Sequence, residues 1–340
     1  MVRRWCAVVI SAVLCVGAAV GPAGAATTTA TTTTTGARTY VALGDSYSSG
    51  AGLAPFDAGS GSCARSPRAY PSIVARSLAR DRFVFVACSG ATIAQITAQV
   101  GAARVALRHA ALVTLTAGGN DLSFTNLLVS CLGGVTSLTS PVVRYESYAS
   151  GPTTCATAIA QAASELGASV TASGAVVARR GDVSSRDTAR SPIEEGLTRL
   201  LRSLEVLTPR SGAVAARILV VQYPLLLAPT SAPVCRVSAT PLAISSSPLY
   251  PVFPDAAARQ LREINQLLRR ETATVVARVR AGDRRVALVT ATTFAPLDCR
   301  LGTSSDLNGL SIASLRSGGT FHPTAAGQVA LARAVLASRP

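Results

Sequence analysis

The sequence predicts a three-layer α/β/α sandwich, built as one domain around a central five-stranded parallel sheet. Two observations predict it. Five short apolar runs recur along the chain, each continuous and rich in Val, Leu or Ile, with no alternation of apolar and polar residues. Strands buried on both faces of a parallel sheet read this way. Segments of helical period lie between the runs, and strand alternating with helix is the mark of crossover-connected parallel strands. Composition agrees: the 340-residue chain is 49% hydrophobic and 14% charged, which excludes a disordered chain, and 27 Gly with 18 Pro exclude a collagen-like one.

Residues 1–25 read as a cleaved leader. Arg3 and Arg4 are followed by the apolar run Trp5 to Val20 and by Ala23-Gly24-Ala25, a small-residue cleavage site. The run is short for a membrane span, and Cys15 lacks the small residue before it that a lipid-modified N-terminus would show. Export to the extracellular side is therefore expected. Residues 26–38 form a Thr/Ala-rich tether that cannot build a core, and 39–340 form the folded domain.

Within it the strands are expected at Thr39–Leu43, Arg82–Ala87, Ala111–Thr116, Arg217–Gln222 and Arg285–Thr290. Helices are expected at Ala69–Ala79, Ile93–Val105, Ile193–Leu207 and Asp255–Ala281, with Pro323–Ala337 last and Pro in its first turn. In the Asp255 helix, Leu261, Ile264, Leu268, Val275 and Val279 fall on one face, and Asp255 after Pro254 is the expected N-cap. Residues 123–191 fit this pattern least. A Gly/Ser-rich run and the Arg/Asp-rich Arg179 to Arg190 mark an irregular excursion, not a second domain.

Of the eight cysteines, Cys6 and Cys15 lie in the leader, leaving Cys63, Cys88, Cys131, Cys155, Cys235 and Cys299. An even number in an oxidising compartment indicates disulfides, and six allow 15 pairings. Sequential pairing is the simplest of these. No CxxC pair occurs and the chain has two histidines, so no metal site is expected. The formal charge of +15 comes entirely from Arg, with no Lys. The arginines are scattered and not interleaved with aromatics, against a nucleic-acid binder; such a surface suits peripheral contact with an anionic envelope or lipid.

Active sites in open α/β sheets lie beyond the carboxyl ends of the strands. Gly44-Asp45-Ser46-Tyr47-Ser48-Ser49-Gly50 follows the first run, Cys88-Ser89-Gly90-Ala91-Thr92 the second, and Ala117-Gly118-Gly119-Asn120-Asp121 the third; Gly319-Thr320-Phe321-His322-Pro323 precedes the last helix. A serine hydroxyl becomes a nucleophile when a neighbouring base takes its proton, and Ser46 leaves its strand at a tight turn. His109 precedes the third strand and belongs at the opposite end of the sheet, so His322 is the base by elimination. The N–H groups of Ser46 and Gly90 and the Asn120 side-chain amide would surround an oxyanion; losing one such donor typically costs about 2.7–4 kcal/mol. Asp45 and Asp121 read as carboxylates bonding loop backbone, and Gly118 and Gly119 as turn residues. A Gly-x-Ser-x-Gly elbow is excluded because position 48 is Ser, and neither a P-loop nor a dinucleotide fingerprint is present.

These four blocks, in this order, resemble the GDSL family of SGNH hydrolases over residues 39–340. The likeness is to its secreted actinobacterial lipase/esterase branch, whose Gly-Asp-Ser-Tyr-Ser-Ser-Gly, Ala-Cys-Ser-Gly-Ala-Thr and His-Pro-x-x-x-Gly patterns are matched by Gly44–Gly50, Ala87–Thr92 and His322–Gly327. The resemblance implies a flavodoxin-like SGNH fold, a catalytic Ser46 and His322, oxyanion donors at Gly90 and Asn120, and three sequential disulfides. One departure stands out. The family's aspartate three residues before the histidine is here Gly319. Some members of the branch use instead a backbone carbonyl two residues before it, which would be that of Thr320; Asp306 is the competing carboxylate. The expected protein is a secreted monomeric serine hydrolase of carboxylic esters, a lipase, esterase or phospholipase, acting on a lipid or other acyl ester without cofactor. A polysaccharide O-deacetylase and a catalytically silent cell-envelope binding module of the same fold are the alternatives.

Overall fold

The computed structural model describes residues 39–79, 82–135, 143–144, 154–178, 190–210, 215–241 and 250–338. The expected leader and tether lie outside the described residues.

The chain opens with β1 (Thr39–Ala42), the short helix α1 (Ser46–Ser49), α2 (Tyr70–Ser77), β2 (Arg82–Phe85), α3 (Ile93–Ala102), α4 (Arg104–Leu107) and β3 (Ala110–Leu115). It continues through α5 (Phe124–Ser130), β4 (Gly133–Val135), β5 (Val143–Arg144), α6 (Cys155–Glu165), β6 (Ala168–Val170), β7 (Val176–Ala178) and α7 (Pro192–Leu207). It closes with β8 (Arg217–Val221), β9 (Val234–Arg236), β10 (Tyr250–Pro254), α8 (Asp255–Gly282), β11 (Val286–Val289), α9 (Ile312–Ser317) and α10 (Ala325–Ala337).

The five apolar runs become one parallel sheet in the order β11-β8-β3-β1-β2. Strand order reverses between β1 and β3, and the crevice at such a switch point is where doubly wound sheets bind ligands. The central strands are continuous apolar runs because both their faces are covered: β1 and β3 are buried along their whole length. Helix α2 packs on α10, while α3, α7 and α8 pack against one another in turn. This is the three-layer arrangement expected.

Helix ends differ from the sequence reading in instructive ways. Asp255 is the first residue of α8, not its N-cap, which is Pro254. Its carboxylate pairs with Arg259 one turn on, where negative charge still suits the helix start. Helix α10 begins at Ala325, because the Thr324 hydroxyl accepts the Gly327 N–H at 3.1 Å and so caps it; Pro323 lies outside. The expected Ile93–Val105 helix breaks at Ala103 into α3 and α4.

The 123–191 stretch, expected to be irregular, holds α5, α6 and the antiparallel pair β6–β7 among its described residues. The buried face of α6 is Ala158, Ile159, Ala162 and Ala163, so small residues hide its amphipathic pattern. Most of Arg179 to Arg190 lies outside the described residues. A second, antiparallel sheet, β5-β4-β10-β9, was not expected; its strands are too short to show a period. Disulfides join Cys63 to Cys88, Cys131 to Cys155 and Cys235 to Cys299.

Candidate active site

The chain leaves β1 through Gly44, whose φ of +121° is open to glycine; a Cβ there would lie 2.6 Å from Ser48 Oγ and 2.8 Å from the Thr116 backbone. Gln99 on α3 holds this glycine from both sides, accepting its N–H and donating to its carbonyl, each at 2.9 Å. Asp45 then caps α1, its Oδ1 accepting the Tyr47 N–H at 3.0 Å. Ser46 follows at the first helical position, with 8% of its surface exposed.

Ser46 Oγ lies 2.8 Å from His322 Nε2, and His322 Nδ1 lies 2.9 Å from the Thr320 carbonyl oxygen. A carbonyl can only accept, so Nδ1 carries the hydrogen and Nε2 is left bare to accept the serine proton. Burial pushes the His322 imidazole below its ordinary pKa of 6.5, while the hydrogen bond to Thr320 and the charge of Asp45 act the other way.

The competing carboxylate is turned elsewhere. Asp306 accepts the Ala295 N–H at 2.8 Å and the Ser305 hydroxyl at 3.2 Å. At Gly319 the backbone itself is crowded: a Cβ on Gly319 would sit 3.1 Å from Gly52 Cα, and one on Gly52 would sit 2.4 Å from Gly319 Cα. Two glycines let these loops touch, which leaves little room for an acid at 319.

The histidine loop is held from three sides. Phe321 has a left-handed φ of +58°, uncommon for a bulky residue. Its N–H donates to the Asn308 carbonyl at 2.9 Å, Asn308 donates to the His322 carbonyl from both its nitrogens, and the Tyr47 hydroxyl donates to the Phe321 carbonyl at 2.8 Å. The Tyr47 ring also lies 5.5 Å from the imidazole.

Asn120 donates from Nδ2 to the Ala91 carbonyl at 3.0 Å, which places the third-strand loop against the second-strand loop; among the described residues its other Nδ2 hydrogen meets no acceptor. Asp121 fixes the start of α3 by accepting the Ile93 N–H. Among the described residues neither the Ser46 N–H nor the Gly90 N–H is engaged in a hydrogen bond. Gly90 sits exposed in the β2–α3 turn. His109 is exposed just before β3, away from this constellation.

Ser46, Asn120, Thr320 and His322 open into a cavity of about 290 Å³, walled by Phe124, Leu128, Leu132, Leu226, Leu268 and Phe321; Gly90 does not line it. The described residues contain no group of His, Cys, Asp or Glu able to hold a metal ion, and no helix among them is long and apolar enough to cross a membrane. Sequence reasoning missed three residues. Tyr223, just past β8, accepts the Gly119 N–H at 3.0 Å and donates to Asp45. Gln99 and Gln328 are buried clamps, Gln328 joining the Tyr47 carbonyl to the Tyr70 N–H. A polar residue on an otherwise apolar helix face, as Gln99 is three residues after Ile96, was the available signal.

Comparison with known proteins points the same way. The model of the GDSL-like lipase/acylhydrolase family matches residues 42–330. A lipase of Streptomyces rimosus is 40% identical over 113 residues, 33% of this chain and 41% of that lipase. Lipase 1 of Streptomyces coelicolor is 39% identical over 140 residues, 41% of this chain and 50% of that protein. The matched stretches thus span half or less of these curated relatives. Among solved structures, the extracellular lipase from Streptomyces rimosus superposes with a TM-score of 0.58 at 26% identity, covering 89% of this chain and 100% of that one. The phospholipase A1 from Streptomyces albidoflavus NA297 does so with a TM-score of 0.56 at 23% identity over 89% and 100% of the two chains, a likeness of fold.

Proposed function

This chain belongs to the GDSL-like lipase/acylhydrolase family, and from that premise we propose that it hydrolyses carboxylic esters through an acyl-enzyme on Ser46. The observation that carries the reading is the hydrogen-bonded line from Ser46 Oγ through the His322 imidazole to the Thr320 carbonyl. Ser46 Oγ attacks the ester carbonyl carbon as its proton passes to His322 Nε2. The Thr320 carbonyl keeps the ring in the tautomer that can accept this proton and favours the imidazolium that forms. The Ser46 and Gly90 N–H groups and the Asn120 amide are the donors for the oxyanion. His322 then protonates the departing alkoxide, and water repeats the sequence to release the acid.

The apolar cavity beside Ser46 supports an acyl chain as the group bound, which favours a lipid or other acyl ester over a polysaccharide. Secretion accords with the extracellular lipase of similar fold and with three disulfides, which persist in oxidising compartments. In this reading residues 1–25 are removed and 26–38 tether the domain, so N-terminal sequencing of protein from culture medium should begin at Ala26.

The test is hydrolysis of a p-nitrophenyl ester series, acetate through palmitate, by the purified protein and by Ser46→Ala and His322→Ala. Turnover should fall by about four orders of magnitude or more in each variant. Absence of turnover by the folded, oxidised wild-type protein on every chain length would overturn the reading and favour a binding module.

A further inference from the structure

We propose that the Asp45 carboxylate is a counter-charge of the His322 imidazolium, joining the Thr320 carbonyl in the electrostatic role that Gly319 leaves vacant. The inference rests on the proposed acyl-enzyme reading and deepens it. It makes Asp45 a positioning residue that acts through the imidazole.

The geometry begins with the donor set. Asp45 is buried, with 1% of its surface exposed, and accepts from Thr116 Oγ1 at 2.6 Å, from the Tyr47 N–H at 3.0 Å and from the Tyr223 hydroxyl. The Tyr47 amide can only donate. The Tyr223 oxygen already accepts the Gly119 N–H, which directs its own hydrogen to Asp45. Three donors aimed at one carboxyl favour its charged form. Burial pulls the other way, raising the Asp45 pKa above its usual value; the hydrogen bonds oppose that desolvation.

Position completes the case. Asp45 precedes the residue whose Oγ touches the imidazole, and Asp45 and His322 line the same cavity. The other charged and titratable groups around the ring are otherwise engaged. Burial pushes the Tyr47 and Tyr223 hydroxyls far up, so both stay neutral. Asp121 caps α3, Asp306 holds the Ala295 loop, and Arg269 of α8 donates to the Tyr223 carbonyl. Arg316 on α9 is exposed, and the positive end of α10 disfavours an imidazolium two residues before its cap. The Thr320 hydrogen bond is the larger offset to burial of the imidazole, and the Asp45 charge adds to it in the low-dielectric site.

The experiment is an NMR titration of the imidazoles in the Ser46→Ala protein, which needs no turnover. The chain has two histidines, so exposed His109 serves as the internal reference. Adding Asp45→Asn should lower the His322 titration midpoint by about one pH unit, a tenfold change in proton affinity, and leave His109 in place. Should Asp45→Asn fail to fold, Asp45→Ser keeps a helix-capping oxygen without the charge and should move His322 in the same direction. An unchanged His322 midpoint in either folded variant overturns the proposal. A shift without any ester turnover by the wild-type protein would keep the charge coupling and reject the acyl-enzyme reading.

Discussion

Removing one hydroxyl, in Tyr47→Phe, tests whether the histidine loop is held by the serine loop. The Tyr47 hydroxyl donates at 2.8 Å to the Phe321 carbonyl, across 274 residues of sequence. Among the described residues that carbonyl has no other donor. Phenylalanine keeps the ring and its packing against Tyr223, 5.1 Å away edge-on, so the change isolates the hydrogen bond. An unpaired buried acceptor costs about 1–3 kcal/mol. Phe321 is held with φ at +58°, a conformation that costs on the order of 1–3 kcal/mol for a non-glycine residue and persists only under restraint. Loss of the restraint lets Phe321 relax and carries the Thr320 carbonyl and His322 with it. A displacement of about 1 Å at reacting groups can cost on the order of 100-fold in rate. The expected result is a stability loss of about 1–3 kcal/mol in urea unfolding with kcat down by about 10-fold or more and KM changed far less. Wild-type kcat alongside the full stability loss would refute the reasoning, because the loop would then be held without Tyr47.

Other outcomes follow from the same contacts. Burial lowers the His322 pKa, and in the proposed reading His322 is the base and must be neutral, so kcat/KM should stay high below pH 6.5 and fall only as pH drops through the depressed value; an acidic limb above 6.5 would contradict this. The linked stability has the same sign: the unfolded state binds the proton more readily, so the contribution is complete above about pH 6.5 and is lost as the pH falls below it, which acid unfolding of wild type against His322→Gln would read. Gly319→Asp, which restores the family's acid, should lower Tm and fail to raise kcat, because its Cβ would crowd Gly52 and Nδ1 already has an acceptor; a faster enzyme would sink the argument. Replacing Cys235 and Cys299 together by Ala frees a loop of separation 64, against 24 and 25 for the other pairs. Chain entropy gives about 4 kcal/mol for the long loop and about 3.5 for the short ones, an ordering that denaturant midpoints would check. Reductant should inactivate the enzyme through Cys63–Cys88, since the Ser89 N–H donates to the Cys63 carbonyl and the Cys88 N–H to that of Gly44; full activity with all thiols free would contradict it.

The five strands of the central sheet were legible in the sequence because burial on both faces writes itself locally, as an unbroken apolar run, whatever the partner strands are. That Ser46 and His322 would meet was legible for a related reason: the end of a strand and the start of a helix are local events, and one of two histidines lay at the wrong end of the sheet. The antiparallel sheet of β4, β5, β9 and β10 was not, since strands of two to five residues carry too few positions to show a period. The contacts that hold the site were decided by the tertiary structure alone. Tyr223 meets Asp45 across 178 residues, Gln99 meets Gly44 across 55, and Gln328 meets Tyr47 across 281; each is an ordinary polar residue until the sheet brings its partner near. Gly319 shows the difference most plainly. The sequence determined that the acid is absent. Only the folded chain, with Gly52 packed against that backbone and the Thr320 carbonyl turned to the imidazole, decided what stands in its place, because hydrogen-bond direction and van der Waals exclusion act between atoms in space and not along the chain.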